Sequence, residues 1–137
     1  MRKFFKHSIL FILTLLSLGI LSCGAQKRGM MYLYSDQNNN RFQITASEIR
    51  YIPMTASESS SGQYNGGKKA TVKITKETFN QISTLAEAVF ASEGVTTQRR
   101  MLTAVLSLQN NGENRQVIAT PSEERKRLEA VLRELIQ

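Results

Sequence analysis

A chain of 137 residues with 41% apolar and 21% charged side chains has the balance of one globular domain, which excludes a two-domain architecture and a disordered polymer. The net charge of +7 is weighted to the N-terminus: Arg2, Lys3 and Lys6 come first, and the rest of the chain carries 15 basic against 11 acidic side chains. Those 15 are scattered in short groups such as Lys27-Arg28, Lys68-Lys69 and Arg99-Arg100, without the one-sided concentration that phosphate neutralisation requires, so nucleic acid is not an expected partner.

After the basic cluster, Ile9 to Ile20 is an apolar block broken only by Thr14, Ser17 and Gly19, and small residues follow. This is the three-part build of a secretory signal. Counted to Leu21 the block has 13 positions, where a membrane-crossing helix needs roughly 20. At its end, Ile20-Leu21-Ser22-Cys23 resembles the lipobox of bacterial lipoproteins, with an aliphatic residue three before the cysteine and a small one directly before it.

That resemblance implies transfer of a diacylglyceryl group to the Cys23 thiol, cleavage between Ser22 and Cys23 by signal peptidase II, and acylation of the new amine. It divides the chain into a signal peptide, 1–22, a lipidated tether, 23–29, and a single domain, 30–137. Membrane lipid is then the first partner, engaged through acylated Cys23. Gly24 in place of an aspartate implies the outer membrane, and Ala25-Gln26-Lys27-Arg28 departs from the acidic pattern of surface export, so the periplasmic face is expected. The alternatives are an ordinary signal cut after Ala25, which leaves a soluble secreted or periplasmic domain, and an uncleaved anchor.

Met30 to Ser35 reads as a strand and Asp36 to Asn40 as a turn. Arg41 to Ala46 alternates, with Phe42, Ile44 and Ala46 on one face. Ile49 and Tyr51 resume out of phase, which requires a bulge or tight turn near Ser47-Glu48, and Pro53 ends that strand. Thr55 to Gly67 has no apolar period and forms the longest loop. Ala70, Val72 and Ile74 then alternate as a further strand.

Thr75 is placed to cap a helix carrying Phe79, Ile82, Leu85, Ala86, Val89 and Phe90 at helical spacing, with Gly94 as its left-handed stop. Arg100 to Leu108 shows period two at Leu102, Ala104, Leu106 and Leu108. Asn110-Asn111-Gly112 signals a hairpin returning along Arg115 to Ala119. Thr120-Pro121-Ser122-Glu123 reads as a capping box for a second helix with the stripe Leu128, Val131, Leu132, Leu135 and Ile136. In that helix Arg125, Lys126 and Arg127 read as a solvated face. The order strands, helix, hairpin, helix predicts an α+β domain, an antiparallel β-sheet with two amphipathic helices packed on one face.

The only histidine, His7, lies in the signal, so the domain has no imidazole for acid–base work, and no second cysteine joins Cys23. No metal site, cofactor or catalytic residue is expected, and the domain is expected not to be an enzyme. The candidate recognition loop consists of Ser59, Ser60, Ser61, Tyr64, Lys68 and Lys69: tyrosine supplies an amphipathic contact and the lysines an anion contact. The expected function is a non-enzymatic binding or envelope-structure module with an envelope protein as a further candidate partner. The rival readings use the same loop, as an enzyme with a Ser-Lys dyad or as an enzyme inhibitor. Tyr32 and Tyr34, two apart on one strand, are expected at the edge of the core, with a stacking platform for a sugar or peptide as the alternative.

Overall fold

A computed structural model of the chain describes residues 29–137; the expected signal peptide, Ser22, Cys23 and the expected tether up to residue 28 lie outside the described residues. The described chain runs β1 (Met31–Ser35), β2 (Arg41–Thr45), β3 (Glu48–Ile52), β4 (Ala70–Lys73), α1 (Lys76–Ala91), β5 (Val95–Thr96), β6 (Ala104–Asn110), β7 (Glu113–Ala119) and α2 (Glu123–Leu135). The strands form one open sheet in the order β4-β3-β2-β1-β6-β7-β5, with every neighbouring pair antiparallel. The fold is α+β.

Strict alternation puts Tyr32, Tyr34, Phe42, Ile44, Ile49, Tyr51, Leu106 and Leu108 on one face of this sheet, and all of them are buried. Phe79, Ile82, Ala86 and Val89 of α1 and Leu128 and Leu132 of α2 close over that face. Each fully buried Leu or Ile side chain adds roughly 2 kcal/mol of transfer free energy. The other face has no helix over it among the described residues and carries Gln43, Arg50, Ser107 and Gln116, as antiparallel sheets permit.

The turns follow their chemistry. Ala46 and Ser47 join β2 to β3 tightly enough that Ile44 pairs with Ile49 and both reach the core; Thr45 Oγ1 donates to Glu48 O (3.1 Å) and accepts from Glu48 N (3.2 Å). Asn111 and Gly112, at φ 45° and 95°, form the two-residue β6–β7 turn whose left-handed conformation suits strand twist. Thr75 caps α1 by accepting from Thr78 N at 3.2 Å.

Four local expectations change. Ala46 sits exposed in the turn, because the strand ends at Thr45. Gly94 is not a left-handed helix stop: α1 ends at Ala91 with its C-cap, Ser92, in extended backbone, and Gly94 O accepts from Thr120 N (2.7 Å) and Thr120 Oγ1 (3.0 Å), which draws it toward the end of β7. The helix starts only at Glu123, with Thr120 paired to Gly94, and Ser122 caps α2, accepting from Arg125 N at 3.2 Å. Leu102 stands outside β6, with φ 67° and 56% exposure, because the strand begins only at Ala104.

β1, the central strand, separates two ends of the domain. At its Met31 end lie the β2–β3 and β6–β7 turns and the point where residue 29 joins the fold. At its Ser35 end lie the β1–β2 turn, the 53–69 loop between β3 and β4, the approach to β6, and the start of α2.

Candidate functional site

The Ser35 end holds a cleft of about 280 Å³ whose wall includes Tyr34, Asp36, Gln37, Asn40, Tyr64, Glu129 and Arg133, with Phe42 and Leu132 among its apolar lining. The β1–β2 turn builds one wall. Asp36 Oδ1 accepts from Asn38 N (2.8 Å) and Asn40 N (2.9 Å), an aspartate turn that explains why a polar run folds back so sharply. It delivers Asn40 into the protein, where only 4% of the residue is exposed.

Buried, Asn40 must satisfy its whole amide, and it does so by tying the long loop down. Its Nδ2 donates to Asp36 Oδ2 and to Tyr64 Oη, both at 2.8 Å, and its Oδ1 accepts from Met54 N at 3.0 Å. Gly66 completes the seat: its N donates to Met54 O (2.9 Å) and its O accepts from Tyr51 Oη (2.7 Å). A Cβ at Gly66 would stand 2.0 Å from Asn40 Oδ1, so this approach requires glycine. The result is a second wall, with Tyr64 half-buried in the cleft rather than loose in solvent.

α2 supplies the third wall through a charged network. Arg125 is 4% exposed. Its Nε donates to Glu129 Oε1 (2.9 Å) and Tyr34 Oη (3.3 Å), and its Nη1 donates to the carbonyls of Leu102 and, at 3.4 Å, Ala119. Tyr34 Oη donates to Glu129 Oε1, and Arg133 Nη2 donates to Glu129 Oε2 at 2.6 Å. Burial, then the Glu129 hydrogen bond and charge, pushes the Tyr34 phenol far above its ordinary value of 10.0. For Arg125 burial opposes the charged form, but the Glu129 hydrogen bond and the partners' charges outweigh it and hold the guanidinium protonated.

Of the predicted loop residues, only Tyr64 lines the cleft. Ser59 Oγ is hydrogen-bonded to Ser61 Oγ at 3.0 Å on the outer part of the loop, and Ser60 is exposed. Lys68 and Lys69 are both exposed, so neither has the desolvated setting in which a lysine activates a serine. Tyr32 and Tyr34 are each 1% exposed, beneath the helices rather than at a core edge or on a platform. Among the described residues no group of three His, Cys, Asp or Glu is arranged to hold a metal ion, and no helix is long and apolar enough to cross a membrane.

No family model, known protein or solved structure matches this chain. The residues themselves therefore carry the argument. A broader hollow of about 730 Å³ lies at the Met31 end, around the point where residue 29 joins the domain, lined by Met30 and Met31 together with residues of the β2–β3 and β6–β7 turns. The smaller cleft has the convergence of aromatic, amide, carboxylate and guanidinium groups expected of a binding site.

Asp36, Asn40, Arg125, Glu129 and Arg133 were not singled out by sequence. One signal was present for Arg125: it is in helical phase with Leu128 and Leu132, so it belongs to the buried stripe and not to the solvated face assigned to it. Its i,i+4 partner Glu129 follows from the same phase.

Proposed function

We propose that the chain is a lipid-anchored, non-catalytic binding module of the bacterial cell envelope, held to the membrane through Cys23 and presenting its cleft at the far end of the domain. The observation that carries this reading is the cleft's construction: three separate chain segments are fastened into one preformed cleft by two buried polar side chains, Asn40 joining the long loop to the β1–β2 turn and Arg125 joining α2 to Tyr34 of β1. A preformed site loses little ordering entropy on binding. Its two carboxylates are already committed, Asp36 to the turn and Glu129 to Tyr34, Arg125 and Arg133, which argues against either serving as a free acid or base.

Charges in the cleft largely cancel, while the amides of Gln37 and Asn38 and the Tyr64 hydroxyl remain for a ligand, so the fitting ligand is small, uncharged and rich in hydroxyl or amide groups, of about monosaccharide size. The anchor is tested by growing cells with a clickable fatty acid and comparing wild type with Cys23→Ala; an unlabelled wild-type protein ends that part of the reading. The site is tested by NMR titration with soluble glycan fragments of the cell wall. Shifts centred on Tyr34, Tyr64 and Gln37 are expected, and shifts spread evenly over the open face of the sheet would refute it.

A further inference from the structure

Three large apolar residues are exposed among the described residues, Val95, Met101 and Leu102, and all three fall within the eight positions 95–102. Single exposed apolar side chains are ordinary, but their confinement to one connection is not. Met101 is 91% exposed and Leu102 56%, so the tip of this connection points apolar groups into solvent.

The tip is also built, not slack. Thr103, 3% exposed, accepts from Arg100 N (3.1 Å) through Oγ1, which donates back to Arg100 O (2.6 Å), and Thr103 N donates to the same carbonyl at 3.2 Å. Buried Arg125 fastens the Leu102 carbonyl from beneath. Leu102 is held at φ 67°, a left-handed conformation that opposes folding for any residue with a Cβ. Asn39 and Asn111, the other non-glycine residues there, are of a type that tolerates it; leucine is not. Glycine would remove the strain, and the exposed leucine returns little burial within the domain for it.

We infer that Met101 and Leu102 form an apolar knob that inserts into a socket on a different protein, and that the socket is edged with carboxylates. The acidic edge follows from Arg99 and Arg100, which flank the knob. Arg99 Nη2 donates to Asp36 O (3.2 Å) and Asn39 Oδ1, and Arg100 Nη2 to Gln98 Oε1 (3.2 Å). Among the described residues neither is in an ion pair, so both retain charge to offer a partner. The preference for a protein over a lipid surface rests on the proposed anchor: residue 29 joins the fold at the Met31 end of β1, whereas the knob precedes β6 at the Ser35 end. Two side chains are also too little apolar surface for membrane attachment, given that even one whole myristoyl chain binds marginally.

The test places a photo-crosslinking amino acid at Met101 of the full chain in the bacterium that makes it, with the same group at exposed Thr71 on the open sheet face as control. One discrete protein adduct is expected from position 101 and none from 71, and mass spectrometry should find Asp or Glu beside the crosslinked partner residue. Arg100→Glu should cut the adduct at least five-fold while Arg100→Lys retains it. Leu102→Gly should cut it equally yet raise the thermal midpoint of the purified protein, a pairing that general misfolding would not produce. No adduct, a lipid adduct, an adduct with a second copy of the chain, a partner site without acidic residues, or a yield indifferent to Arg100→Glu overturns the inference. Fatty-acid labelling of the same cells reads the anchor separately, so failure of one is not mistaken for failure of the other.

Discussion

Two irregular segments at the same end of the domain are held in opposite ways. The 53–69 loop is fastened by a neutral amide, Asn40, which uses its three strong hydrogen-bonding positions on Asp36, Tyr64 and Met54. The 98–103 turn is fastened by a charge, Arg125, which holds the Leu102 carbonyl only because Glu129 neutralises it in a nearly dry site. Apolar packing orders neither segment: 55–67 has no apolar period, and Met101 and Leu102 of the turn point into solvent. Buried polar side chains do so instead, Asn40 in the first and Arg125 with Thr103 in the second, and their chemistry decides how each anchor fails.

The largest effect should come from breaking the charged anchor. Arg125→Met leaves Glu129 and the Leu102 and Ala119 carbonyls without their donor, and a broken buried pair costs about 3 kcal/mol, at the low end of the usual range because Arg133 still meets Glu129. Chemical denaturation should show the lost stability, and amide exchange should quicken at Leu102 to Ala104 before it does in the 53–69 loop.

Breaking the neutral anchor is expected to cost less, about 2 kcal/mol for Asn40→Ala, since no buried charge loses its counter-ion, although the Met54 N–H and the Asp36 carboxylate each lose a partner. Limited proteolysis checks this: cleavage should appear within 55–67, while the 98–103 turn stays resistant. Equal exposure of both segments would mean that the two anchors are one cooperative unit.

A third, smaller effect separates the anchors by pH. Tyr34 holds its proton more tightly folded than unfolded, because burial and Glu129 disfavour the phenolate, so the folded state binds more protons above the unfolded value near 10.0. That contribution is complete below about pH 10 and is lost progressively as pH rises further. Thermal melts should show the midpoint falling above pH 10 and falling less steeply in Tyr34→Phe. Burial also raises Tyr32 and Tyr51, so the variant should reduce the slope without abolishing it.

The smallest effect has the opposite sign. Leu102→Gly should stabilise the domain by about 0.5 kcal/mol, because the steric cost that leucine bears at positive φ exceeds glycine's larger loss of chain entropy on folding. Differential scanning calorimetry would detect it, and a destabilised variant would show that Leu102 is held mainly by packing.

Much of the architecture was legible in single residues. Period-two alternation identified the buried faces of β2 and β3, Asn111-Gly112 marked its hairpin, and Thr75 its helix start, because each of these is a local preference that the rest of the fold merely accepts. Where two hydroxyls could start one helix, tertiary pairing decided: Thr120 N and Oγ1 both pair with Gly94 O beside β5, and the helix begins after Ser122, which caps it. Of the recognition-loop residues, Tyr64 alone lines the cleft, since it alone is tied to Asn40.

By itself, then, the sequence determined the alternation, the helix stripes, the turns and a lipobox-like segment, all of which depend on neighbours a few positions away. Only the tertiary structure decided that Asn40 and Arg125 are anchors. Their partners stand up to 91 positions distant, from Tyr34 to Arg125, and whether a polar side chain meets water or a buried carboxylate depends on what the fold brings beside it.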